Sequence, residues 1–230
     1  MNKILTLFIF VVSLQVVAFA QEPNEGDIQV WNETKVYFLP YSKDIKGKKT
    51  EIFSPHFIGN LRVGQDVRHF VSERVGFGAD IRLNDYFKFT PSYLYIAEQA
   101  TKNAKSFEHR LRFDLTGTKK FGNWSFSDRN RIEHRIRNSK ADSTRYRNKA
   151  KLAYTFKNSD KKEIVTPFVA DEPFYDFSKK EWSRNEFSAG VGKKLTSNFS
   201  AEFFYMLQSN TGNTLKRVNI VGANFKISLK

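Results

Sequence analysis

The chain has 230 residues, no cysteine, a formal charge of +14 and 15% aromatic residues, including 23 Phe and 9 Tyr. Without cysteine it has no disulfide framework, Cys-ligated zinc, Fe–S cluster or thiol chemistry. A mean hydropathy of −0.52 excludes a polytopic helical membrane protein, which needs several apolar runs of about 20 residues.

Residues 1–20 read MNKILTLFIFVVSLQVVAFA: Lys3, an apolar stretch from Ile4 to Phe19, then Ala18-Phe19-Ala20 before a polar QEPNEGD. A charged n-region, an apolar h-region and an A-x-A site predict a secretory signal peptide. Ile4–Ala20 is short for a membrane anchor, and no cysteine stands at the site to carry a lipid. The expected mature chain, 21–230, has charge +13. A basic pI of 9.8 ordinarily suggests nucleic acid, but an exported chain does not meet cytoplasmic DNA or RNA, so no nucleic-acid partner is expected.

Beyond residue 20 the pattern is period two, not helical. Segments are predicted at 28–39, 51–63, 71–83, 87–97, 107–115, 121–137, 146–156, 163–175, 187–195, 199–207 and 215–229. In 71–83, Val75, Phe77, Ala79, Ile81 and Leu83 share one face, while Arg74, Gly76, Gly78, Asp80 and Arg82 share the other. In 107–115 the row Phe107, Leu111, Phe113, Leu115 alternates with Glu108, Arg110, Arg112, Asp114. Pro55, Pro91, Pro167 and Pro173 lack a ladder donor, so bulges or strand ends are expected there. Tight turns at 84–85, 119–123 and 196–198 alternate with longer polar connections at 101–105, 138–143, 176–180 and 209–213. Nothing reads as a linker, so residues 21–230 form one all-β domain.

Strands this long exceed the typical ~5–6 residues of a soluble sandwich and suit the ~9–11 tilted residues that cross a bilayer. Aromatics gather toward the segment ends, where interfacial girdles belong. Tyr95, Phe107, Tyr146, Tyr175, Trp182 and Tyr205 would mark one interface, and Phe87, Phe121, Trp124, Phe156 and Phe199 the other. The expected fold is a transmembrane antiparallel up-and-down β-barrel of 10–12 strands in the bacterial outer membrane. Apolar rows face lipid, charged rows face the lumen, and short turns lie on the periplasmic side. Bacterial single-chain barrels usually have an even count. Eleven segments therefore imply that 28–39 is incomplete or that a further strand hides near 40–50. In 121–137 the outward row includes Asp128 and Asn130, which lipid disfavours, and a bulge that turns them inward is the expected repair.

The order of several short motifs carries a resemblance. They are Gln29-Val30-Trp31-Asn32, Glu73–Gly78 leading to Leu83–Phe87, Arg129–Arg135, Tyr146–Lys149, Asp171–Tyr175 and Arg184-Asn185-Glu186. The chain resembles a family of outer-membrane β-barrel proteins of unknown function in Gram-negative bacteria such as Bacteroidetes and Proteobacteria. The resemblance implies the fold and location, and no activity.

No Gly-x-Ser-x-Gly, zinc motif, phosphate loop or dinucleotide fingerprint appears, so neither cofactor nor enzymatic activity is expected. A lipid hydrolase built from Ser125, Ser127, Glu133 and His134 requires the bulge in 121–137. His109 and His134 fall on apolar rows and read as interfacial side chains rather than a metal pair. The distinctive feature is one basic wall: Glu108, Arg110, Arg112, Asp114; then Arg129, Arg131, Glu133, Arg135, Arg137; then Arg145, Arg147, Lys149, Lys151. Ten bases face three acids there. Arg184 and Glu186 join the lumen-lining set, and Glu202, Asp171 and Glu172 are candidate counter-charges. Such a wall needs water, acidic partners or a bound anion. Three readings follow: a lumen closed by an Arg–carboxylate network, an anion-favouring pore, or a grip on lipopolysaccharide phosphates by Arg135, Arg137, Lys140, Arg145 and Arg147 near the 138–143 loop. Outer-membrane lipid is the expected partner in all three.

Overall fold

Successive side chains on a strand point to opposite faces, and almost all of the described chain obeys that rule. The computed structural model describes residues 26–45, 47–64, 66–101, 104–211 and 215–229. The expected signal peptide lies outside them. The described residues form thirteen strands and no helix: β1 (Gly26–Tyr37), β2 (Tyr41–Ile45), β3 (Lys48–Gly64), β4 (His69–Arg82), β5 (Phe87–Thr101), β6 (Ala104–Phe121), β7 (Trp124–Arg137), β8 (Ser143–Tyr154), β9 (Phe156–Lys157), β10 (Glu163–Asp176), β11 (Glu181–Lys194), β12 (Phe199–Asn210) and β13 (Arg217–Ser228).

Eleven of these close a barrel, in the order β1-β13-β12-β11-β10-β8-β7-β6-β5-β4-β3 and back to β1. Each barrel strand is antiparallel to its sequence neighbour, but the closing pair, β1 with β13, is parallel from Gly26↔Arg217 to Tyr37↔Ser228. An odd number of up-and-down strands leaves the first and last pointing the same way, so closure requires one parallel pair. The expected even count therefore fails. Gly26–Tyr37 is a full barrel strand, and the chain near 40–50 supplies only the five-residue arm β2, which pairs with β3. Closure leaves no barrel strand with an open edge.

Two further expectations are corrected. The β6–β7 ladder runs unbroken from Phe121↔Trp124 to Glu108↔Arg137. No bulge turns Asp128 and Asn130 inward; their polar groups are satisfied on the outer face instead. Loop length also does not sort the two ends. β5 and β6 pair as far as Thr101↔Ala104, so the longer loop expected at 101–105 is nearly absent. The longest connections, 38–47 and 155–162, share an end with the tight turns 83–86, 122–123 and 195–198. Backbone ladders continue through polar side chains as long as donors and acceptors find partners. At the two-residue turn 122–123, Gly122 supplies the positive φ of 60°. Prolines act where expected in two places. The β4–β5 ladder lapses between Gly78↔Ser92 and Ile81↔Phe89, beside Pro91, and the β8–β10 ladder lapses between Asp171↔Ala150 and Phe174↔Arg147, beside Pro173.

The outer wall is apolar, with Phe57, Phe77, Phe113, Phe187, Phe203 and Val221 all exposed. Aromatics meet one another toward its two ends. Trp124, Tyr154 and Phe156 form edge-on contacts at 4.9 Å near one rim. Tyr175, Phe177 and Trp182 do so at 5.3 Å near the other. The interior has two sides. Apolar clusters of Trp31, Met206, Val218 and Ile220, and of Ile58, Leu94 and Ile96, fill it along β1, β12, β13, β3 and β5. The opposite side, β6 to β11, is ionic.

Candidate functional site

The ladder registers set Arg110 opposite Arg135, Arg131 opposite Arg147, Arg129 opposite Lys149, and Glu172 opposite Glu186. Like charges so placed repel. The interior resolves this with ion pairs that run along and across the strands. Glu108 accepts from Arg110 at 2.6 Å and from Arg135 at 2.7 Å. Asp114 takes a two-pronged bond from Arg131, both prongs 2.6 Å. Glu133 accepts from Arg145 and, at 3.4 Å, from Arg147, with Arg110 3.7 Å away. Glu172 binds Arg129 at 2.5 Å and Arg147 at 2.6 Å, with Lys149 at 3.8 Å. Glu186 lies 3.6 Å from Arg184 and 3.8 Å from Arg147. Glu202 pairs with Lys151. Every one of Glu108, Asp114, Glu133, Glu172 and Glu186 is buried. Bidentate and shared guanidinium–carboxylate bonds of this kind are the strong ones. Asp171, by contrast, is on the outer face, where its Oδ1 accepts from Asn185 at 2.8 Å.

Inward aromatics take part as well. The Phe174 ring lies under Arg147, 4.0 Å from its guanidinium carbon, with Arg145 and Arg184 at 5.5 and 5.6 Å. Lys151 Nζ sits 3.7 Å from the Phe168 ring centre. The negative faces of these rings offset part of the positive excess.

Glu108, Arg110, Arg112, Arg129, Arg131, Glu133, Arg135, Arg147, Lys149, Arg184 and Glu186, expected in the lumen from sequence, are inward and belong to this ionic side. Their center is a cavity of about 150 Å³ lined by Arg62, Arg74, Arg110, Arg112, Arg129, Arg131, Arg147 and Lys149, with Glu33, Glu172 and Glu186 as the acids. Sequence reading missed Arg62, Asn60, Trp31 and Glu33 in this lining. Arg62 does share a period-two row with His56, Ile58 and Asn60, but that row is otherwise nearly uncharged and gave no sign of joining the basic wall. Arg74 stood on the charged row of 71–83 with nothing to mark it.

The other constellations do not assemble. Arg135, Arg145 and Arg147 point inward to Glu108, Glu133 and Glu172, so of the set near the 138–143 loop Arg137 and Lys140 stay at the rim. Ser125 and Ser127 share the inward parity of Glu133, while His134 faces outward and contacts Thr144 Oγ1 at 3.0 Å. His109 meets the Tyr93 hydroxyl at 2.6 Å on the same outer face. No group of three or more metal-ligating side chains occurs among the described residues.

Among solved structures the chain is similar to an anion-selective porin from Comamonas acidovorans, at 9% identity and a TM-score of 0.38. The match covers 79% of this chain and 59% of the porin's length. So distant a likeness carries nothing about function. Among curated proteins no sequence matches. Over residues 29–219 the sequence matches a family described as "Protein of unknown function (DUF2490)". The chain belongs to the DUF2490 family.

Proposed function

We propose that this protein is an exported outer-membrane β-barrel whose lumen is closed to free diffusion by its Arg–carboxylate network. One observation carries the reading. On β6 alone, Leu111 and Phe113 are 41% and 48% exposed while the alternating Arg110 and Arg112 are 4% and 6% exposed. A soluble barrel has the opposite arrangement, and a wall with its apolar side outward is stable where the solvent is hydrocarbon. The barrel strands, 12 to 18 residues long, exceed the ~9–11 needed to cross. The shared carboxylates support the closed lumen: Glu133 and Glu172 hold the inward cations of the neighbouring strands β6, β7, β8 and β10 in one network that fills this side of the interior.

The test has two parts. Purified protein should migrate faster unheated than boiled on a detergent gel, and cell fractionation should place it with outer-membrane lipid; a soluble periplasmic protein ends the membrane reading. In planar bilayers it should show no steady conductance. A second reading, anion-favouring passage, is supported by the cavity's excess of bases over acids. It requires a conductance that prefers chloride to potassium and loses that preference in Arg112→Glu.

A further inference from the structure

Three guanidiniums in the lumen lack the counter-charges that hold the others. Among the described residues no carboxylate oxygen lies within 4.0 Å of Arg62, Arg74 or Arg112. Each is nevertheless fixed. The Arg62 guanidinium carbon lies 3.3 Å from the centre of the Trp31 ring. Trp31 is itself held by its Nε1, which donates to Gln29 Oε1 at 2.7 Å, and Gln29 donates to Asp27 at 2.6 Å. Arg74 Nε donates to Ser72 Oγ and Arg112 Nε to Ser92 Oγ, both at 3.0 Å. With their Nε edges tied to hydroxyls, Arg74 and Arg112 keep their terminal Nη groups for something else.

All three line the same cavity. Three further groups there have no partner among the described residues: the buried Nε atoms of Arg62 and Arg129 and the buried Oδ1 of Asn60. Asn60 is directly across the β3–β4 ladder from Arg74. Buried polar groups are nearly always bonded, and clustering the buried Arg112 with the half-buried Arg62 and Arg74, none of them in an ion pair, is costly. Orienting three such cations by stacking and serine bonds is what a preorganised anion site requires.

We propose that Arg62, Arg74 and Arg112 form a binding site for one doubly charged tetrahedral oxyanion of the monohydrogen phosphate class. Guanidinium forks match its oxygens. Its own hydroxyl supplies the donor that Asn60 Oδ1 lacks, whereas sulfate has no proton to give and chloride has neither proton nor fork geometry. A cavity of about 150 Å³ has room for such an ion together with water. The proposal rests on the barrel reading with these side chains in its interior and stands whether or not the lumen conducts; binding and conductance are measured separately.

The experiment is equilibrium dialysis of the full, detergent-folded protein with radiolabelled inorganic phosphate. The expected result is saturable uptake of one ion per chain, displaced by excess phosphate and weakly by sulfate or chloride. A phosphate monoester, glycerol 3-phosphate, distinguishes a free ion from a lipid headgroup: it should compete poorly. Arg62→Gln, Arg74→Gln and Arg112→Gln should each weaken binding by ~10–100-fold, while Arg82→Gln, at the exposed pair with Asp85, should change nothing. Absence of saturable binding by the folded wild type, equal displacement by sulfate, or undiminished binding in folded Arg62→Gln and Arg112→Gln would each overturn the proposal. If a variant does not fold, the wild-type selectivity decides alone. A barrel that binds phosphate and conducts keeps this site and refutes the closed lumen. One that does neither keeps the closed lumen and refutes the site.

Discussion

Arg129 and Glu172, 43 positions apart in the chain, meet inside the barrel with Arg129 Nη2 2.5 Å from Glu172 Oε1. The pair links β7 to β10 across β8, which contributes Arg147 and Lys149 to the same carboxylate. Because Glu172 is shared, its charge matters more than any one bond. Glu172→Gln leaves the half-buried Arg129 and Lys149 without an ion-pair partner and Arg147 with only Glu133 and Glu186, and should cost ~3 kcal/mol, read as a lower urea midpoint for the barrel refolded in lipid vesicles. Asp85→Asn, at the exposed pair with Arg82 2.8 Å away, should cost less than about 1 kcal/mol. Equal effects from the two variants would mean that the interior network is solvated.

The outer wall makes the opposite demand. Phe113 faces outward on β6 and is 48% exposed. If that face meets hydrocarbon, Phe113→Arg should cost ~2–4 kcal/mol near mid-bilayer, seen as a smaller heat-modifiable fraction after refolding into vesicles. On a water-facing wall the same change would be neutral or would improve solubility, and that outcome removes the membrane reading.

Asp128 is a carboxylate on the same face, between the outward Phe126 and Asn130 of β7. Its two oxygens accept from Asn130 and Asn148, both at 2.7 Å. Asp128→Asn keeps an acceptor and removes the charge, so in vesicles it should stabilise the barrel by ~1–2 kcal/mol. No gain would mean that this patch does not face hydrocarbon.

Gly190 on β11 is needed for space. A Cβ there would lie 2.3 Å from the backbone oxygen of Phe203 and 2.8 Å from Phe168 Cζ. Gly190→Ala should lower the unfolding midpoint by the equivalent of ~1–3 kcal/mol. Gly59→Ala meets nothing within 4 Å and should be neutral or mildly stabilising.

Of the ionic side, the sequence shows which row each residue occupies, because parity along a strand is a local property. Glu108, Arg112, Glu133 and Arg147 could be placed inward from alternation alone. It does not show which acid meets which base: Glu172 finds Arg129 only because β8 lies between their strands. Arg62 was not legible as part of the site at all. It sits among Ile58 and Asn60 on a row with little charge, and barrel curvature brings it over the cavity.

Alternation, length and the apolar outward rows thus determined an all-β barrel of 10–12 strands with a charged inside, since each depends on neighbours two residues apart. Tertiary structure decided the rest. Closure of an odd number of strands forced β1 and β13 parallel, unbroken register kept Asp128 outward, and the two sides of the wall were brought face to face. That last step left Arg62, Arg74 and Arg112 in one cavity with no carboxylate oxygen within 4.0 Å among the described residues. Charge balance across a lumen depends on distances between strands far apart in sequence, and no local pattern encodes those.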